Sequence, residues 1–248
     1  MKLKSGLLAA VLAFLCAAAS LSALAEEEEF EHAGTNVRDT GSLQRGARTF
    51  VNYCLSCHSA NYMRYNRLAD DLGLSDEMVM KNLVFRDAKI GETMTIAMQP
   101  DDAKAWFGKA PPDLSLIGRS RGPDWLFAYL RSFYQDKNGG WNNSVLPNAA
   151  MPNVLWQLQG IQKPVFRTVD EGGGYQAQVI DHLELAKPGQ MSPQEYEDTV
   201  RDLVAFLQYL GEPAEMRRRD IGIWVMLYLA VFAFLAWMLK KEYWRDVH

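Results

Sequence analysis

Cys54 and Cys57 stand three positions apart, and His58 follows the second thiol at once. Two thiols at this spacing can add across the two vinyl groups of a single haem, and a histidine beside the second is then held under the iron as an axial ligand. The motif Cys54-Leu55-Ser56-Cys57-His58 therefore encodes a covalent tether and a metal ligand together. The competing chemistries are a dithiol redox pair and half of a zinc site. No second cysteine pair is present to complete zinc coordination, and no βαβ pattern surrounds the motif as it would in a thioredoxin-like fold. The third cysteine, Cys16, lies in an N-terminal apolar run, so removal of that run leaves only the motif pair and no structural disulfide.

Two apolar blocks frame the segment that must position this motif. Lys2 and Lys4 precede an uncharged stretch ending in Ala23-Leu24-Ala25, the pattern of a cleaved secretory signal over residues 1–25 with the mature chain starting near Glu26. Ile221 to Leu239 holds nineteen residues without a charge, which at about 1.5 Å per residue nearly spans a hydrocarbon core of roughly 30 Å. Trp224 and Trp237 near its ends, with Tyr243 and Trp244 beyond, suit interfacial positions. Residues 212–248 are thus expected to form a membrane anchor with a span at about 221–239. Basic residues bound the span on both sides, so the signal sets the topology: the domain exported, the tail cytoplasmic. A short signal without a bipartite transit segment places the protein in a bacterial inner membrane, single-pass, with its domain on the periplasmic side.

Residues 26–211 carry 18 basic against 25 acidic side chains, a balance that excludes nucleic acid as a natural partner. Glu26 to Glu29 and Glu31 form an acidic arm, either a solvated segment or a docking patch for a basic electron carrier. Local patterns read mainly as helix. Ser42 is expected to cap a helix through Tyr53 that ends at the motif, Ser75 a second helix, and Pro123 opens a third carrying Trp125, Leu126, Tyr129, Leu130 and Phe133. From Gly139-Gly140 to Lys187, scattered Pro and Gly predict loops, with short strands at 165–169 and 175–180. Ser192 and Glu195 form a capping box with Pro193 at the first helical position, starting an amphipathic helix stopped by Gly211 and Pro213. The fold class is mainly α: a monohaem c-type cytochrome domain with long loops plus one C-terminal transmembrane helix.

The motif, the stretch Ala110-Pro111-Pro112-Asp113-Leu114-Ser115, then Arg119 and Arg121, then Ala150-Met151-Pro152, and a single C-terminal span together resemble the cytochrome c1 family over nearly the whole mature chain. The chain is short for that family and lacks the extra cysteines of some members, which rules out a family disulfide. The resemblance implies one covalent haem c and membership of the cytochrome bc1 complex, ubiquinol–cytochrome c reductase, beside cytochrome b and a Rieske iron–sulfur protein. The chain would be an electron carrier rather than an enzyme on its own, relaying single electrons from the Rieske centre to an acceptor cytochrome c. The alternative is a stand-alone membrane-anchored c-type cytochrome serving a terminal oxidase or another periplasmic partner.

Candidates for the sixth iron ligand are Met151, Met98, His32 and His182. Met151 lies in the Ala-Met-Pro segment that the family uses, whereas Met98 precedes the Pro-Pro-Asp block. Methionine is favoured over a second histidine because it raises the potential toward that of an acceptor cytochrome. Arg121, by its match to the family motif, and Arg119 are candidates to pair with a haem propionate, against a reading as solvated surface groups. Pro111 or Pro112 is expected to accept a hydrogen bond from His58 Nδ1 through its free carbonyl.

Overall fold

A computed structural model describes residues 30–170 and 176–246. The expected signal, the Glu26–Glu29 part of the acidic arm and the Gly172-Gly173-Gly174 stretch lie outside the described residues.

The domain is built around a pair of helices distant in sequence. α1 spans Thr40–Tyr53 and buries Leu43, Ala47, Phe50 and Val51. These positions recur at i, i+4, i+7 and i+8, the stripe by which an amphipathic helix seats itself on a core. That stripe packs on α8, Pro193–Gly211, which buries Tyr196, Val200, Leu203, Val204 and Leu207. The Phe50 and Phe206 rings meet at 5.5 Å between centroids. Ser42 does not cap α1 as the sequence suggested. Asp39 does, its carboxylate accepting from Ser42 N at 3.1 Å, which frees the Ser42 hydroxyl to donate to Asp202 on α8 at 2.6 Å. The capping box of α8 forms as read, Ser192 N donating to Glu195 Oε2 at 2.8 Å.

Between these helices the chain runs through β1 (Ala60–Arg64), α2 (Tyr65–Leu72), α3 (Asp76–Asn82), β2 (Thr93–Met94), α4 (Pro100–Phe107), α5 (Ile117–Ser120) and α6 (Pro123–Arg131). Ser75 caps α3 and Pro123 opens α6, both as expected. β1 pairs with β2, and β3 (Phe133–Gln135) pairs with β4 (Trp141–Asn143), each antiparallel. A short α7 (Trp156–Gln159) leads into β5 (Gly160–Asp170) and β6 (Gln176–Pro188). The short strands expected at 165–169 and 175–180 are parts of one much longer antiparallel hairpin, paired from Gly160 against Pro188 to Asp170 against Gln176 with register shifts at Ile161/Gln162 and Val165/Phe166. Its base is tied to the domain by the Gln162 side-chain amide, which donates to the carbonyls of Arg131 and Phe133 at 2.8 and 2.9 Å.

α9 runs from Glu215 to Tyr243, longer at both ends than the charge-free span. Its Asp220–Tyr243 stretch is long and apolar enough to cross a membrane, and none of its apolar window is buried within the protein.

Candidate functional site

The thiol motif forms because α1 does not stop cleanly at Tyr53. Cys54 N donates to Phe50 O at 2.8 Å, Cys57 N to Cys54 O at 3.0 Å and His58 N to Cys54 O at 2.8 Å. These bonds continue a helical turn past the helix end, so residues 54, 57 and 58, related as i, i+3 and i+4, share one side. Cys54 is buried and Cys57 half-buried, both as free thiols. Burial, with Cys57 beside it, pushes the Cys54 thiol up to about 12. A thiol held so firmly protonated is a poor member of a dithiol exchange pair, which needs a stabilised thiolate. Among the described residues no group of three or more His, Cys, Asp or Glu could hold a metal ion, so the zinc alternative also lacks a donor set.

The Pro-Pro-Asp-Leu-Ser stretch is stitched against the residues that follow the motif. Leu114 N donates to Ser59 O at 2.8 Å, and the two Asp113 carboxylate oxygens accept from Asn61 N and Ser115 N, each at 2.8 Å. The buried Ser115 hydroxyl accepts from Tyr62 N at 3.1 Å. This anchoring presents the Pro112 carbonyl, whose oxygen lies 2.7 Å from His58 Nδ1. Nδ1–H is the donor, because a carbonyl can only accept, and Nε2 is left with its lone pair free. Partial burial lowers the His58 pKa, opposed by the Pro112 bond and by Asp113. The imidazole is thus held neutral, the form that can bind iron.

Met151 sits half-buried on the core in the segment between β4 and α7. Two buried asparagines hold that segment on either side. Asn143 Oδ1 accepts from Val145 N and Leu146 N at 2.9 Å each, while its amide donates to Tyr129 O at 2.8 Å. Asn153 Oδ1 accepts from Leu155 N at 3.0 Å and its amide donates to Gln159 Oε1 at 2.8 Å. From α6 the Tyr129 hydroxyl donates to Met151 Sδ at 3.6 Å. Burial pushes that hydroxyl up to about 12, so it stays protonated and remains a donor. Tyr129 in turn stacks on Trp125 at 4.9 Å, and the Arg121 guanidinium lies 4.8 Å over Trp125. Arg121, Trp125, Tyr129 and Met151 are therefore linked in one row along α6.

The remaining candidates part company. Arg119 turns to Glu212 beyond α8, at 3.8 Å. His32 stands exposed beside Asp124 at 3.2 Å, and His182 on β6 lies between Asp181 and Glu184 at 2.9 and 3.3 Å. Met98 is half-buried in the segment between β2 and α4. Tyr129, Asn143 and Asn153 escape a reading of the sequence: Tyr129 scores there only as an apolar position of its helix. The aromatic pair at i and i+4, Trp125 and Tyr129, was the available signal.

The residues fit one haem c. Two thiols match two vinyl groups, and an imidazole with a thioether is a donor set that could hold the iron. Leu55, Leu114, Ile117, Trp125, Val145 and Val154 pack on the core yet remain only partly covered.

A model of the Cytochrome C1 family matches residues 30–247. A cytochrome c1 of Allochromatium vinosum is 49% identical over 236 residues, covering 94% of this chain and 96% of that protein. The ammonia monooxygenase gamma subunit of Nitrosomonas europaea is 44% identical over 240 residues, 96% of this chain and 97% of its own. A cytochrome c1 of Rhodospirillum rubrum is 27% identical over 84% of this chain and 83% of its own.

Proposed function

Because the chain belongs to the cytochrome c1 family, we propose that it takes single electrons from a Rieske iron–sulfur protein and hands them to an acceptor cytochrome c. As a member of that family it carries one covalently bound haem c and is a membrane-anchored electron-transfer subunit of the cytochrome bc1 complex. In this reading Cys54 and Cys57 would carry the two thioether links, His58 Nε2 and Met151 Sδ would hold the iron, and cytochrome b would be a neighbour in the membrane. The haem domain faces the periplasm and the tail beyond α9 the cytoplasm.

The observation that carries the assignment is that both ligand side chains are oriented by a second hydrogen bond, His58 to Pro112 at 2.7 Å and Tyr129 to Met151 at 3.6 Å. Haem c, when bound, supplies a one-electron iron couple. The Pro112 carbonyl fixes the ring of His58 and raises its basicity. Tyr129 keeps the thioether turned to one side while leaving it a second lone pair. With His58 and Met151 both holding the iron, no position on it would be left for a substrate, which suits electron transfer rather than catalysis. Arg121, stacked on Trp125 and exposed at its tip, is the better placed of the two arginines to meet a propionate, since Arg119 already faces Glu212.

Mild-detergent purification followed by reduced-minus-oxidised spectra tests the assembly. Co-purifying b-type haem is the expected result, and c-type haem alone would favour the stand-alone carrier. The Nitrosomonas relative raises a second reading, an electron-transfer subunit of an ammonia monooxygenase. Recovery of the chain with monooxygenase subunits in place of haem b would select it.

Two variants test the site and the anchor. Cys54→Ala with Cys57→Ala should remove all covalent haem from a denaturing gel stained for haem, and each single change should leave no more than one thioether. Undiminished stain in the double variant would refute the attachment site. Truncation after Gly211, where α8 ends, should release a soluble, reducible haem domain. A truncated protein that still pelleted with membranes in alkaline carbonate would show that α9 is not the sole anchor.

A further inference from the structure

A cavity of about 470 Å³ lies where α2 of the haem domain meets the first turns of α9. Its upper wall carries Arg67, Arg217 and Arg218 against a single carboxylate, Asp71, and its lower wall is Ile221, Gly222 and Val225. Asp71 is already heavily engaged: Arg67 Nε donates to it at 3.1 Å and the Tyr209 hydroxyl at 3.0 Å. Arg217 reaches it only at 3.9 Å with its side chain 75% exposed. Arg218 pairs with Glu212, which also faces Arg119. Arg67 and Arg217 therefore share Asp71, and Arg218 shares Glu212 with Arg119 outside the cavity; Glu215, in the first turn of α9, faces the Gln208 amide at 3.3 Å. Below the arginines the wall becomes apolar at once, with Ile221 and Val225 exposed on either side of a glycine. Cationic at the top and apolar down the start of a membrane span, the cavity is graded as a phospholipid is.

We propose that this cavity seats one anionic phospholipid of the leaflet on the haem-domain side, its phosphodiester on Arg217, Arg218 and Arg67 and an acyl chain along Ile221, Gly222 and Val225. Guanidinium forks match phosphate oxygens bidentately, and Arg217 is the least committed of the three. The bound lipid fixes the angle at which the haem domain stands on its anchor, because it touches α2 and α9 together. The site rests on α9 being the membrane anchor.

The test uses the intact complex purified in mild detergent, with phospholipid counted by mass spectrometry per covalent haem. The wild type should retain one phosphatidylglycerol that survives washing. Delipidated complex should rebind phosphatidylglycerol in preference to phosphatidylcholine. Arg217→Gln with Arg218→Gln should weaken rebinding about thirtyfold, from the loss of two cations near a membrane surface. The Lys pair at the same positions should restore most of it. Gly222→Phe provides a second arm without touching an ion pair: a Cβ at Gly222 meets nothing within 4 Å, so the helix tolerates the ring while the acyl groove fills. Equal lipid in wild type and both variants, equal affinity for phosphatidylcholine, or displacement by millimolar inorganic phosphate would each overturn the proposal. Failure of the anchor reading would register separately, as extraction of the wild type by alkaline carbonate.

Discussion

Met151→Leu is expected to keep the haem covalently attached while stopping quinol-dependent reduction of cytochrome c. Leucine nearly conserves the volume of methionine, so packing in the segment between β4 and α7 changes little. It removes the thioether, and with it the lone pair that favours ferrous iron. Axial ligands set haem potentials over roughly 0.8 V, and a fall on the order of 200 mV is expected from this loss. At 59 mV per tenfold for one electron, that shifts the transfer equilibrium about a thousandfold against the Rieske step. The structure adds a consequence for stability. Tyr129 loses the acceptor of its buried hydroxyl, an orphaned donor worth about 1–3 kcal/mol. Adding Tyr129→Phe should therefore restore the melting temperature without restoring the potential, which separates the two roles of the sulfur. Met98→Leu should change neither spectrum nor turnover. A shifted potential in Met98→Leu with an unshifted one in Met151→Leu would invert the ligand assignment.

What could be read in advance follows the range of each interaction. The capping box of Ser192 and Glu195 and the Ser75 cap are made by residues three apart, and both were legible. Ser42 reads as the cap of α1, and Asp39 makes that cap instead. The choice between them is made by Asp202, 160 residues away, which draws off the Ser42 hydroxyl. The two strands of the β5–β6 hairpin read too short in the sequence, at 165–169 and 175–180, because they alternate poorly: Phe166 and Leu185 are exposed, polar residues occupy both faces, and Pro164 sits inside β5. Pro164 sits in a strand that pairs with one neighbour only, the setting in which a strand accommodates proline. The thiol motif and His58 stand out by spacing alone, whereas Met151 stands out only through the order of motifs that the chain shares with a family. The work of Asp113 and Ser115 was not legible, since it consists of bonds to backbone 52 and 53 residues away. Nor was that of Tyr129, whose hydroxyl meets a sulfur 22 residues on.

Gly46→Ala should do more damage to the domain than any single loss of a surface charge, although the change is one methyl group. A Cβ at Gly46 would lie 2.1 Å from the backbone oxygen of Asp202 and 2.7 Å from Phe206 Cβ. Neither atom belongs to the end of a flexible side chain, so only separation of α1 from α8 relieves the clash. Separation opens the Phe50–Phe206 contact and moves the turn that follows α1, which carries Cys54, Cys57 and His58. Overpacking typically costs about 1–3 kcal/mol, and a contact this short on backbone places the loss at the upper end or beyond. For a domain of this size about 3 kcal/mol lowers the melting temperature by about 10 °C. Haem incorporation should fall with it, because the ligand turn is displaced before the thioethers form. Gly118→Ala repeats the test from a second element: its Cβ would lie 2.6 Å from Leu207 O, wedging α5 off the same helix. Gly91→Ala, whose Cβ meets nothing within 4 Å, should stay within about 0.5 kcal/mol of the wild type. Circular-dichroism melts with haem-stained yields would decide the matter. A Gly46→Ala protein with wild-type melting and haem content would mean that the α1–α8 contact is not what holds the ligand turn in place.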